Sequence, residues 1–136
     1  MITAVDSNVL LDFLNRDPTF GLGSRNLLRS CAAEGRMLAC DVVWAEIAAC
    51  FPSHSTCTNI LREIGIEFSS TEPEAAFEAG LAWNAYRQRG GARTRVAADF
   101  LIGAHALLQA DRLLTRDHGF YRSYFKRLSI MDPSVT

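Results

Sequence analysis

At 136 residues with 49% hydrophobic content, the chain has room for one domain with a real core and is too short for two ordinary ones. Its formal net charge of -1 and pI near 6.3 give no whole-chain field that would draw nucleic acid or a membrane surface, so an anionic substrate must be held locally. No apolar run approaches the ~20 residues of a membrane span, and the N-terminus lacks the charged-then-apolar pattern of a signal peptide; a soluble, cytoplasmic protein with no membrane partner is expected.

In chain order, residues 2–5 predict a strand that ends at Asp6, and residues 8–15 show helical periodicity. Asp17-Pro18 breaks that helix; a second follows over residues 22–34 until Gly35 stops it, and residues 37–40 predict a strand. Asp41 is the expected N-cap of a helix over 42–51 that Pro52 ends. A helix over 56–64 leads through Gly65 to a short strand at 66–68. Thr71-Glu72-Pro73-Glu74 then carries the cap, the early proline and the acidic first turn of a long helix through Gln88. Residues 89–95 form a flexible, basic link to Asp99, which heads an apolar run that reads as a buried helix. Residues 112–115 predict a short strand running into a turn at Asp117, and residues 128–131 a last strand. Strands that alternate with helices, too far apart for hairpins, imply a parallel sheet with helices on both faces.

The four cysteines, Cys31, Cys40, Cys50 and Cys57, show neither zinc-site spacing nor a disulfide framework, so buried, reduced thiols are expected. Arg supplies thirteen of the 14 basic residues; guanidinium groups suit bidentate contact with phosphate, though codon bias gives the same composition.

Four acids stand in apolar settings: Asp6 after the first strand, Glu46 within V-V-W-A-E-I-A-A, Asp99 within V-A-A-D-F-L-I-G-A, and Asp117 after L-L-T. Ligands of parallel sheets bind beyond the carboxyl ends of the strands, where Asp6 and Asp117 fall. Asp99 could equally serve as a helix cap, and Asp6 or Asp117 as turn acids. Glu46 shares a helix face with Val42, Val43, Ile47 and Cys50, so it is expected to point the way the core residues point. Gathered at ~4 Å, each pair of these carboxylates would repel by roughly 4 kcal/mol at an effective dielectric near 20. Retained protons would relieve that repulsion, as would a divalent cation; an oxygen-only set selects a hard ion such as Mg²⁺ or Mn²⁺. Such a site suits phosphodiester hydrolysis, with Asn8 and Thr115 placed to hold the acids by hydrogen bonds. Arg93, Arg95 and Arg116 flank the late acids and are candidate phosphate contacts; an ordinary solvated surface is the plain alternative. Leu10, Leu11 and Phe13 are candidates for an apolar partner groove or for core.

The segments V-D-S-N-V-L-L, W-A-E-I, A-D-F-L-I-G-A-H-A-L and L-L-T-R-D-H-G-F-Y together resemble the PIN domain, and more narrowly the VapC toxins of bacterial type II toxin-antitoxin pairs. The resemblance covers nearly the whole chain, in the family's order. It implies one PIN domain over residues 1–136, a three-layer α/β/α fold with a central parallel sheet of four to five strands. It further implies a Mg²⁺- or Mn²⁺-dependent endoribonuclease that cuts RNA and halts translation until a VapB-like antitoxin blocks it, and a homodimer. By position Asp6, Glu46, Asp99 and Asp117 match the family's acids, Asp6 and Asp99 its principal metal ligands, and Asn8 and Thr115 its supporting polar residues. The strand-then-Asp start partly resembles haloacid-dehalogenase-like phosphatases, but position 8 is Asn where those enzymes carry a second Asp, and the only lysine is Lys126. A catalytically silent PIN-like module that binds RNA or protein is the alternative from another class. His54 has no assigned role, His105 is expected in the core or an interface, and His118 is expected to be exposed or in contact with phosphate.

Overall fold

The computed structural model describes residues 1–91 and 96–134. The strands are β1 (Ile2–Val5), β2 (Arg36–Cys40), β3 (Ile66–Ser69), β4 (Arg112–Leu114) and β5 (Ile130–Met131). They form one five-stranded sheet in the order β3-β2-β1-β4-β5, every neighbouring pair parallel. β1, β2 and β4 are buried along almost their whole length, whereas the outer strands β3 and β5 are mostly half-buried or exposed. That contrast explains their composition: central parallel strands covered on both faces are continuous apolar runs, and edge strands are not.

Seven helices among the described residues join the strands: α1 (Ser7–Leu14), α2 (Gly21–Glu34), α3 (Asp41–Ala48), α4 (His54–Ile64), α5 (Pro73–Gln88), α6 (Ala97–Gln109) and α7 (His118–Tyr124). Parallel crossovers are right-handed, so α1–α4, which carry the chain from β1 towards β3, cover one face. The return from β3 to β4 and β5 places α5–α7 on the other. The result is the expected α/β architecture, with its core around Val9, Leu10, Met37, Ile47, Phe100, Leu113 and Tyr121. Leu10 belongs to this core, while Leu11 and Phe13 pack partly buried against it. The crossover direction reverses between β1 and β4, and in open sheets the crevice at that reversal is where ligands bind.

Local chemistry accounts for the element ends. Ser53 caps α4 by accepting from the Thr56 amide, and Gly65, at φ 93°, ends it in the left-handed region that glycine tolerates. Pro73 stands at the start of α5, where its missing N–H costs nothing. The expected caps at Asp41 and Thr71 shift: Cys40 and Glu72 occupy the cap positions, and the Thr71 hydroxyl donates to the Asp41 carboxylate instead. The chain leaves α3 at Ala48, four residues before Pro52, and α4 begins at His54. All four cysteines are free, and Cys50 is exposed, contrary to the expectation that all are buried. His105 is buried on α6, hydrogen-bonded to the Ser69 hydroxyl at 2.9 Å; burial lowers its pKa. That bond ties α6 to the end of β3. Among the described residues no helix is long and apolar enough to cross a membrane.

Candidate active site

The site begins where β1 stops. The Asp6 amide still donates to Leu114 of β4, so Asp6 is fixed at the paired ends of the two central strands. Its carboxylate then caps α1 by accepting from the Ser7 amide at 2.7 Å, placing a negative charge at the positive end of that helix. The other carboxylate oxygen accepts from the Thr115 hydroxyl at 2.8 Å and the Tyr121 hydroxyl at 3.1 Å, with the Asn8 amide at 3.4 Å.

Asp6 is only 5% exposed, and its pKa is raised. Burial is the main cause; the bonds from Thr115, Tyr121 and Ser7 oppose it, and the negative charge of Glu46 adds to it.

Thr115 sits at the hub of the polar network. Its oxygen also accepts from the Asp117 amide at 3.0 Å and stands 3.4 Å from the Asn8 side-chain nitrogen, while the Asn8 carbonyl accepts from the Arg116 amide. One hydroxyl thereby couples the end of β4, the start of α1 and the start of α7.

Asp117 is the N-cap residue of α7 and half-buried. Asp99 lies at the third position of α6, half-buried, where its carboxylate reaches back to accept from the Val96 amide at 3.3 Å. This is the reach-back half of a capping box: Val96, not Asp99, is the N-cap, and Asp99 supports the helix start from its third position.

Glu46 is where expectation and structure part. It is exposed rather than turned into the core, because only Val43 and Ile47 of its helix face are buried. The face runs out beyond the sheet edge, and there the Ser7 hydroxyl bridges Glu46 at 3.0 Å to Asp6 at 3.4 Å.

Tyr121 shows how the acids converge. Its hydroxyl is buried, and its pKa is raised well above the usual phenol range, first by burial, then by the charge of Asp6 and the bond to it, then by the charges of Asp99 and Asp117. Of the acids, Asp6 is the one the Tyr121 hydroxyl contacts, while Asp99 and Asp117 act on it through their charge, and Ser7 links Glu46 to Asp6. As placed, no three acidic, histidine or cysteine side chains among the described residues stand close enough together to hold one ion. The donor set is nonetheless oxygen only, which fits a hard divalent cation and no softer one.

Sequence reasoning missed both α7 and Tyr121. The signal was present in Phe120, Tyr121, Tyr124 and Phe125, whose spacing marks one helical face.

The basic candidates separate. The Arg116 guanidinium is committed to the Asp12 carboxylate by two hydrogen bonds and lies 4.2 Å above the Phe20 ring, so its charge is spent within the fold. Arg93 and Arg95 lie outside the described residues. His118 is paired with Asp132, and His54 is exposed at the start of α4.

These features have close parallels in known folds. VapBC2 from Rickettsia felis, bound to a DNA fragment from its promoter, superposes with a TM-score of 0.75 at 20% identity over 97% of this chain and 98% of that one. VapBC-1 from nontypeable Haemophilus influenzae gives a TM-score of 0.73 at 16% identity, covering 98% and 99% of the two chains. A toxin-antitoxin complex from Klebsiella pneumoniae gives 0.70 at 14% identity, covering 96% and 97%. No curated protein matches the sequence significantly. The PIN domain family model matches residues 3–126, a span that takes in all four acids and the strands that place them. The chain belongs to the PIN domain family.

Proposed function

We propose that this protein is a metal-dependent endoribonuclease acting as the toxin of a type II toxin-antitoxin pair in the cytoplasm. The observation that supports the reading is the buried Asp6 carboxylate at the crossover reversal of the sheet, held by Thr115, Tyr121 and Asn8 and linked through Ser7 to Glu46, with the Asp117 amide bound to Thr115. Asp6 and Asp99 would be the principal ligands of a Mg²⁺ or Mn²⁺ ion, with Glu46 and Asp117 completing the acidic set. When bound, such an ion would supply polarisation of a non-bridging phosphate oxygen and a lowered pKa for an attacking water.

The remaining work falls to the chain. Thr115 and Asn8 hold the Asp6 carboxylate in orientation, Ser7 fixes Glu46 beside it, and Asp117 is set by its amide bond to Thr115. Glu46, the exposed acid of the four, is the group placed to take a proton from an attacking water.

The fold-neighbours are toxins in complex with antitoxins, and a VapB-like antitoxin is proposed as the partner. A groove of about 920 Å³ between α1, α2 and α4 fits such a segment. Phe13, Leu14 and Leu28 supply apolar lining, and Arg25 and Arg29 stand among its charged residues with Asp17 and Glu63, which suits an amphipathic helix carrying charges of both signs. Phe77 and Leu81, one turn apart on α5 and exposed by 69% and 52%, are the apolar surface proposed for a homodimer.

Purified, antitoxin-free protein incubated with single-stranded and structured RNAs tests the activity. Cleavage is expected with Mg²⁺ or Mn²⁺, none with EDTA, and a loss of at least a hundredfold in Asp99→Asn. Cleavage that persists in EDTA or in the variant contradicts the mechanism. No cleavage of any RNA favours the silent binding module instead.

A further inference from the structure

Beyond the acids, an RNA strand must be gripped, and the net charge of -1 means that the grip has to be local. Arg89, Lys126 and Arg127 line one groove of about 270 Å³, together with Ser123, Tyr124 and Leu107; Glu78 is the acid among the described residues on its wall. All three cations are exposed, and none has a carboxylate partner among the described residues. By contrast Arg36, Arg112 and Arg116 are each paired with an acid.

The groove adjoins the acids through two elements. Helix α7 runs from His118, next to Asp117, to Tyr124, so its seven residues carry the chain about 10 Å from the acidic end to the groove wall. Arg89 ends α5 and packs over the Tyr124 ring at 5.6 Å. Gln109, at the far end of α6, binds the start of α5 through the Glu72 amide and the Ser70 carbonyl, so Arg89 lies at the end of this antiparallel helix pair where Asp99 stands. The Arg89 and Tyr124 end of the groove is therefore the end nearer the acids.

We propose that the Arg89-Lys126-Arg127 groove is a subsite for the phosphodiester backbone of single-stranded RNA flanking the cleavage point. This rests on the ribonuclease reading above. The cations hold neighbouring phosphates without reading sequence.

The test uses binding rather than cleavage. A fluorescent single-stranded RNA oligonucleotide is titrated with Asp99→Asn protein, with the same protein carrying Arg89→Ala, Lys126→Ala and Arg127→Ala, and with a charge-matched control carrying Arg16→Ala, Arg36→Ala and Arg62→Ala. Each titration is repeated across a series of salt concentrations.

The groove variant is expected to bind at least tenfold more weakly, with a salt dependence shallower by about two, since each single-strand phosphate contributes roughly 0.7 to that slope. The control is expected to match its parent. Unchanged affinity and slope in the groove variant, or an equal loss in the control, overturns the subsite and leaves the nuclease reading standing. A parent that binds no RNA overturns the subsite too, and wild-type cleavage then decides the nuclease reading separately.

Discussion

The hydroxyl of Tyr121 is buried and donates to Asp6 at 3.1 Å. A hydrogen bond to a charged, buried group contributes about 1.5–3 kcal/mol, and removing its donor leaves the carboxylate short of a partner. Tyr121→Phe keeps the ring and deletes only that donor. Urea unfolding at neutral pH is expected to show a loss of about 1.5–3 kcal/mol; an unchanged midpoint and slope would mean that Thr115 and Ser7 satisfy Asp6 without it. Asp6, Asn8 and Thr115 were legible in the sequence because a polar residue at a strand end has few places to point. Tyr121 was not, since an aromatic side chain among apolar neighbours reads as core and its hydroxyl leaves no periodic mark. Arg116 shows the opposite limit: sequence adjacency to Asp117 placed it at the site, yet its side chain runs back to Asp12 and Phe20.

The elements obeyed the periodic pattern wherever burial was one-sided or complete. β1 appears over the expected residues, and α2, α4, α5 and β2 within two residues of theirs. Boundaries slipped where side chains had a tertiary alternative, as when Thr71 donates to Asp41 rather than capping α5. α7 went unread because it is short and follows a turn, so its stability comes from packing more than from propensity. That packing has a tight point: a Cβ added at Gly103 of α6 would meet the Phe125 ring, at the end of α7, at 2.5 Å. Gly103→Ala is therefore expected to cost about 1–3 kcal/mol through overpacking, read as an earlier denaturant midpoint. A midpoint equal to the parent's would show that Phe125 swings aside freely and that α7 is not held there.

For the whole molecule, the parallel sheet sets the geometry: Asp6 and Asp117 fall at one edge because β1 and β4 are neighbours, and α3 and α6, which carry Glu46 and Asp99, start at that edge. The fold class was legible from alternation alone, but the sheet order that creates the crevice was not, because no local signal reports which strands pair. The proposed function requires Asp6, Glu46, Asp99 and Asp117 to form one divalent-cation site. Calorimetric titration of Mn²⁺ into the purified protein reads that site without RNA. Saturable binding is predicted in the parent, weakened at least tenfold in both Asp6→Asn and Asp99→Asn with the fold intact by circular dichroism. Parent protein that takes up no Mn²⁺, or variants that bind it as tightly as the parent, would contradict the claim.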